Sequence, residues 1–476
     1  CNVINRSRSI TDNGCTVVEF MSRNFDWVNN YIPDNGTVEN CSISAVGPDA
    51  GSAKFGTGIK QSALGTITGK RAQADLTVKD CDINVRYTGV YLGQTAGAMI
   101  HDNTIRIDQP TPGTHIRAIW LNSANGSSGW TMDIFNNTID QLNNFDTGIS
   151  AIDLGNANYV GMHDPIMINV HNNMICGFNF TTPLLRSNVA YRGIYYDGGS
   201  TYDFTISFNC YFNSIYMPHF PKLSYTPGNT TSQRSAFAIG APANYYGRVF
   251  DVRNNILRVE QKYAAAIHYM KYLNNTIITC DYNNLSVDTA NGAFTGRFSN
   301  LLVMTEYPSF ADWQSAPDSP DQHSITMNPF DVYPPYTGNW TATNNLLFTS
   351  FPTTAMLGTS IPGITTDILG TARNAAVPFM GCHEPKASGP QMVLQPDSLD
   401  FGRCLVLAED GSAITENIII SNLGIMDLVT SAVTFLGGSP DFSLISYEPN
   451  IASGASGLFI IRYTPVALGP QTATFR

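Results

Sequence analysis

Short apolar–polar alternations, each broken by a polar doublet, recur along the chain. They read IHDNTIRI from Ile100, DIFNNTID from Asp133, NVHNNMIC from Asn169, SFNCYFNSI from Ser207, DVRNNILRV from Asp251 and KYLNNTIIT from Lys271, with fainter copies from Val38 and Val78. The doublets begin at Asn40, Asp80, Asp102, Asn136, Asn172, Asn209, Asn254 and Asn274, 20 to 45 residues apart. Period-two apolar residues rich in Ile, Val and Phe predict short strands. The doublet predicts a corner, because Asn tolerates left-handed backbone and its amide satisfies nearby backbone groups. In DIFNNTID, Ile134 points inward, Phe135 outward, Asn136 and Asn137 turn, and Ile139 opens the next face. One such coil cannot bury its own apolar face, so the coils must stack. The fold class predicted is all-β: a right-handed parallel β-helix whose corner amides form a ladder, its uneven spacing set by insertions.

The texture changes after Glu384-Pro385. Residues 386–391 read as a linker, and from 392 short alternating runs separated by Gly, Asn and Asp predict an immunoglobulin-like β-sandwich. The domain plan is therefore a β-helix over 1–385, with 309–385 as its terminal coils and cap, and a sandwich over 392–476 that lacks a last strand.

Two resemblances follow from quoted residues. The coils resemble the β-helix repeats of the pectin lyase-like superfamily, and in particular secreted proteins of gliding-type bacteria. SFADWQSAPDSPDQHSITMNPF from Ser309 and DILGTARNAAVPFMGCHEP from Asp367 are similar to the endings of those helices, with Cys382 where Ala is common. Leu399-Asp400-Phe401-Gly402, Asn422-Leu423-Gly424, Asp441-Phe442 and Tyr463-Thr464-Pro465 resemble the strands and turns of choice-of-anchor D modules. The resemblance implies a secreted or cell-surface bacterial protein, with further modules of a longer chain and a type 9 secretion signal beyond the given residues. It identifies architecture rather than activity.

A net charge of −11 with 13% charged residues leaves no basic stripe for nucleic acid. No apolar run approaches the ~20 residues of a membrane helix. Nine cysteines invite a disulfide framework. However, Cys41, Cys81 and Cys210 each follow Asn or Asp in a corner doublet, and the expectation is mostly unbridged, packed thiols. No cofactor and no obligatory metal are expected.

Chemistry is sparsely marked. The chain contains neither Asp-Asp nor Gly-His-Gly, which polygalacturonase-type hydrolases carry, and no pair of carboxylates is set for glycoside hydrolysis. The candidate glycan-binding residues are Tyr191, Arg192, Tyr195, Asp197, His268 and Lys271, where phenols, an acid and bases cluster. His163, Asp164, Tyr245, Tyr246 and Arg248 fall in insertions. In HIRAIW, simple alternation places His115, Arg117 and Ile119 on one face and Ile116, Ala118 and Trp120 on the other. The expected function is a non-catalytic adhesin or matrix component at the outer cell surface, gripping an extracellular polysaccharide or surface glycan, with self-association open. The alternative is a polysaccharide lyase or glycoside hydrolase.

Overall fold

The structure is a computed structural model. The structure describes residues 2–4, 15–22, 36–44, 55–63, 76–95, 97–108, 115–124, 130–144, 147–154, 166–180, 189–197, 206–220, 234–241, 248–271, 276–299, 304–316, 320–331, 333, 345–404, 406 and 413–475. The chain forms two compact units, Cys1–Thr349 with Met380–His383, and Ser350–Phe379 with Glu384–Arg476.

The first unit is a parallel β-helix built of three sheets, each coil contributing one strand to each. Like residues stack in register. On the first sheet Ile43, Ile83, Ile105, Ile139, Ile175, Ile215, Leu257 and Leu285 form one column, all at most 1% exposed. Each such side chain contributes roughly 1.5–3 kcal/mol by leaving water. The third sheet has a matching column of Val78, Ile100, Ile134, Val170, Cys210, Val252 and Cys280. Ile134 is buried and Phe135 lies on the outer face, as the alternation predicts.

The corners carry the ladder. Asn40, Asp80, Asp102, Asn136, Asn172, Phe212, Asn254 and Tyr282 have φ between 53° and 62°. The residue after each corner turns inward. From Asn103 the amides run through Asn137, Asn173, Asn213, Asn255 and Asn283, each Nδ2 donating to the next Oδ1 at 3.0 Å. One predicted corner is corrected and another is left untested. Asn209 is a strand residue whose Nδ2 donates to Asn169 on the outer face, and the corner is Phe212-Asn213. Asn274 and Asn275 lie outside the described residues, and the corner of that coil is Tyr282-Asn283. Cys210 moves with this shift: it is buried in the valine column, not at a corner. Cys41, Cys81, Cys176, Cys210, Cys280 and Cys404 are unbridged.

The WQ…DxHS stretch ends the ladder. Asn283 Nδ2 donates to Asp321 Oδ1 at 3.0 Å, and Asp321 also accepts from Trp313 Nε1 at 2.8 Å and Ser324 Oγ at 2.6 Å. Burial pushes the Asp321 carboxyl up despite these donors. Trp313 is held in the short helix Phe310–Gln314, capped by Ser309, and fills the space where a Cβ on Gly296 would stand 1.9 Å away.

The second unit contains an antiparallel sheet of Met392–Gln395, Ile414–Asn422, Ser456–Tyr463 and Phe442–Tyr447, plus two strand pairs, around a core of Ile418, Ile420, Ile451, Phe459 and Ile461. Asn422 anchors its turn, accepting from Gly424 N at 3.1 Å. Gly424 must lack a side chain because a Cβ would meet the Gly389 carbonyl at 1.8 Å. Residues 386–391 do not run free as a linker: Ala387 N donates to Leu423 O and Ile425 N to Ala387 O. The stretch expected as a cap, 309–385, is likewise shared between the two units. Its second half is a buried polar knot. Asp367 Oδ2 accepts from Glu384 N at 2.8 Å, and Glu384 accepts from Arg373 at 3.2 Å and Phe379 N at 2.9 Å. Among the described residues no helix is long and apolar enough to cross a membrane.

Candidate functional site

The second sheet of the β-helix departs from simple alternation, and the departure builds the site. Each of its strands carries a four-residue phrase: Thr57-Gly-Ile-Lys60, Thr88-Gly-Val-Tyr91, Arg117-Ala-Ile-Trp120, Ser150-Ala-Ile-Asp153, Arg192-Gly-Ile-Tyr195, Ser235-Ala-Phe-Ala238 and Ala265-Ala-Ile-His268. Both middle residues are buried in every copy. Two successive inward residues mean that the strand bends, and the bend requires a small side chain. A Cβ on Gly193 would stand 2.4 Å from Ala236 O, and one on Gly89 would stand 2.5 Å from Ala118 O. The first and fourth residues therefore share the outer face, three apart rather than two. In HIRAIW this places Arg117 with Trp120, and turns Ile119 into the core, correcting the simple alternation.

Register aligns these phrases into two rows. One runs Arg117, Ser150, Arg192, Ser235; the other runs Trp120, Asp153, Tyr195, Ala238, His268, Arg297. Each arginine lies on the aromatic ring of its own phrase, Arg117 Cζ 4.2 Å from the Trp120 centroid and Arg192 Cζ 3.9 Å from that of Tyr195. Arg117 also bonds Asp153 Oδ2 at 2.7 Å, and Arg297 bonds Glu306 at 2.8 Å. Three guanidiniums against two carboxylates give the described part of this face a positive balance within a chain of net charge −11.

Two histidines sit in this field. His115 Nε2 lies 2.9 Å from Ser150 Oγ, and Arg117 faces His115 Nδ1 at 3.4 Å. A guanidinium only donates, so Nδ1 accepts, Nε2 carries the proton, and Ser150 Oγ accepts the hydrogen bond from Nε2–H. Ser150 is thereby oriented as a polar contact and not activated as a nucleophile. His268 lies 2.9 Å from Ser299 Oγ through Nε2, while its Nδ1 and the Ser235 hydroxyl are buried with no hydrogen-bond partner among the described residues. Burial, then Arg297 and Arg192, holds His268 well below the usual imidazole range. Burial, then Arg117 and Arg192, does the same to His115. Both rings are neutral at pH 7.

Of the candidate residues, the structure brings Arg192, Tyr195 and His268 onto this side of the sheet, with the small Ala238 between the last two, and of these Tyr195 is 6% and His268 2% exposed. Tyr191 is turned inward: it is fully buried among Phe178, Phe180 and Phe220, and its hydroxyl donates to Pro218 O at 3.3 Å. It offers no surface to a ligand. Asp197 and Lys271 end their strands, and their side chains lie outside the described residues, as do His163, Asp164, Tyr245, Tyr246 and the side chain of Arg248. Ser150, Asp153, Ser235 and Arg297 were missed, although the repeated small-apolar pair marks the first three in the sequence. No protein-family model, curated protein or solved structure matches the chain, so the face is read from this molecule alone.

Proposed function

We propose that the chain is part of a secreted or cell-surface protein that binds an anionic polysaccharide along the outer face of the second sheet without cleaving it. The carrying observation is the pair of arginine–aromatic units, Arg117 with Trp120 and Arg192 with Tyr195, set two strands apart in register. That separation is ~9.6 Å from the strand spacing, a length over which successive sugar rings meet the same chemistry. The guanidiniums supply charge-assisted bonds to carboxylate or sulfate oxygens, and the rings beneath them hold the guanidiniums in place. Asp153 is engaged by Arg117, and no second carboxylate faces it among the described residues, which speaks against hydrolysis. The likeness of the coils to pectin lyase-like proteins, and of the sandwich to choice-of-anchor D modules, supports an extracellular adhesin or matrix role within a longer chain.

A second reading, a polysaccharide lyase, is favoured by one observation: a neutral, buried His268 whose Nδ1 has no partner among the described residues, in the field of Arg192, the combination of base and cation that proton abstraction beside a uronate requires. Incubation with a panel of acidic and neutral polysaccharides separates the two. Retention on acidic glycans with no rise in ultraviolet absorbance and no new reducing ends supports binding, whereas unsaturated product transfers the function to the lyase reading.

A further inference from the structure

The amide ladder begins at Asn103, but the two coils before it hold cysteine at the same position. Cys41 and Cys81 each follow a left-handed corner, Asn40 and Asp80, and each precedes a paired strand residue, Ser42 opposite Asp82. On the other side of the corner Glu39 lies opposite Lys79, so the two cysteines share one rung with register fixed on both flanks. Asp82 N donates to Cys41 O at 2.9 Å, closing that rung.

Their thiols imitate the amides. Asn137 Nδ2 donates to the carbonyl two residues back, Phe135 O, and to Ile100 O on the preceding coil. Cys81 Sγ likewise donates to Lys79 O at 3.1 Å and Val38 O at 3.7 Å, and Cys41 Sγ to Glu39 O at 3.2 Å. Asn would make these bonds better, since a thiol is a weak donor. What the thiol pair adds is chemistry that stacked amides lack. Cys81 is buried and Cys41 is half-buried, side by side on the rung that these strand pairings flank.

We infer that Cys41 and Cys81 form a reversible disulfide that staples the first two coils of the β-helix. Adjacent strands place their Cα atoms ~4.8 Å apart, within the ~4.4–6.8 Å that a disulfide spans. Parallel Cβ atoms stand at about the same ~4.8 Å, just beyond the usual ~3.5–4.5 Å. The bond thus draws the coils together and is more easily reduced than an unstrained one. With a low-molecular-weight disulfide as oxidant, the accessible Cys41 thiolate attacks first, forming a mixed disulfide and releasing one small thiol. The Cys81 thiolate then attacks the Cys41 sulfur and expels the second. Two S–H bonds are lost and one S–S bond forms, and the two electrons and two protons leave with the two small thiols. The inference stands on the ladder geometry and does not depend on the glycan reading.

The test is equilibration of the full chain across ratios of oxidised to reduced glutathione, followed by acid quench, alkylation and peptide mass mapping. The expected result is loss of two hydrogens with Cys41 linked to Cys81 over a defined ratio, while Cys176, Cys210 and Cys280 remain alkylatable on unfolding. Cys41→Ser must abolish the link, and the Cys41→Asn, Cys81→Asn double variant must melt as one folded species, showing that the rung itself is intact. Persistence of both thiols at the most oxidising ratio would overturn the inference, as would arrest at a Cys41–glutathione adduct or pairing of either residue with another cysteine.

Discussion

Replacing Asn173 by Leu removes the central amide of the ladder while keeping the same branched skeleton of side-chain heavy atoms. Asn173 Nδ2 donates to Ile134 O at 2.9 Å, His171 O at 3.0 Å and Asn213 Oδ1 at 3.0 Å, and its Oδ1 accepts from Asn137 N at 3.1 Å. His171 O keeps the Asn136 N–H, and Asn213 Oδ1 keeps the backbone N–H of residue 173. The Asn137 N–H loses its acceptor inside a dry corner. One stranded buried donor costs ~1–3 kcal/mol, and the weakened carbonyl bonds add to it, for about 3 kcal/mol in all. Asn209→Ala is the matched control: its amide bonds Asn169 on the outer face, where water replaces the partner, and the expected cost is below ~1 kcal/mol. Urea unfolding reads both, and hydrogen exchange at Asn137 and Asn213 checks that the loss is centred on the corner. Equal costs for the two variants, or a cost under ~0.5 kcal/mol for Asn173→Leu, would refute the claim that the buried amides hold the coils in register.

Other outcomes follow from single contacts. Gly193→Val drives a side chain onto Ala236 O, and an overpacked strand costs ~1–3 kcal/mol in thermal or urea unfolding; unchanged stability would mean that the second-sheet bend does not need small residues. Glu384→Ala strands the Arg373 side of a pair in which both side chains are at most 2% exposed, at a cost of ~3–5 kcal/mol to the second unit. Burial, opposed by Arg373, raises the Glu384 carboxyl above its ordinary 4.5. Its contribution to stability is therefore full below that value and is lost as pH rises through the folded-state value. The stability of wild type minus that of Glu384→Gln should fall from acid to neutral pH, and a difference that rises with pH would reverse this assignment.

The sequence announced the β-helix because stacking repeats one simple demand at every coil: apolar in, polar out, and a corner that admits left-handed backbone. Register was lost where that demand is met by atypical residues. Phe212 and Tyr282 take the left-handed corners that Asn takes elsewhere, and the neighbouring Asn209 mimicked the doublet. Cys210 was misplaced by the same slip. The site was half legible. Arg192, Tyr195 and His268 stood out as chemistry, but Tyr191 was grouped with them because clustering in sequence does not reveal which way a side chain faces at the Gly193-Ile194 bend. That bend arises from packing between strands: the small residue in each phrase lies against the backbone of the next coil, a contact between residues 33 to 43 positions apart in the three pairings from Arg117 to Ser235. The ladder terminator was quoted as a motif, yet only the fold shows Trp313 and Asp321 meeting the last amide.

The most direct test of the central claim is calorimetric titration of one retained acidic polysaccharide into wild type, Arg192→Ala and Arg106→Ala. Arg106 is the comparison because it lies on the first sheet, spent on Asp82 and Asp140 of neighbouring coils. If the second-sheet face binds the glycan, Arg192→Ala weakens affinity at least about tenfold, ~1.4 kcal/mol, while Arg106→Ala stays within about twofold. Equal affinity in all three proteins, or a loss confined to Arg106→Ala, would place the binding surface elsewhere and contradict the account.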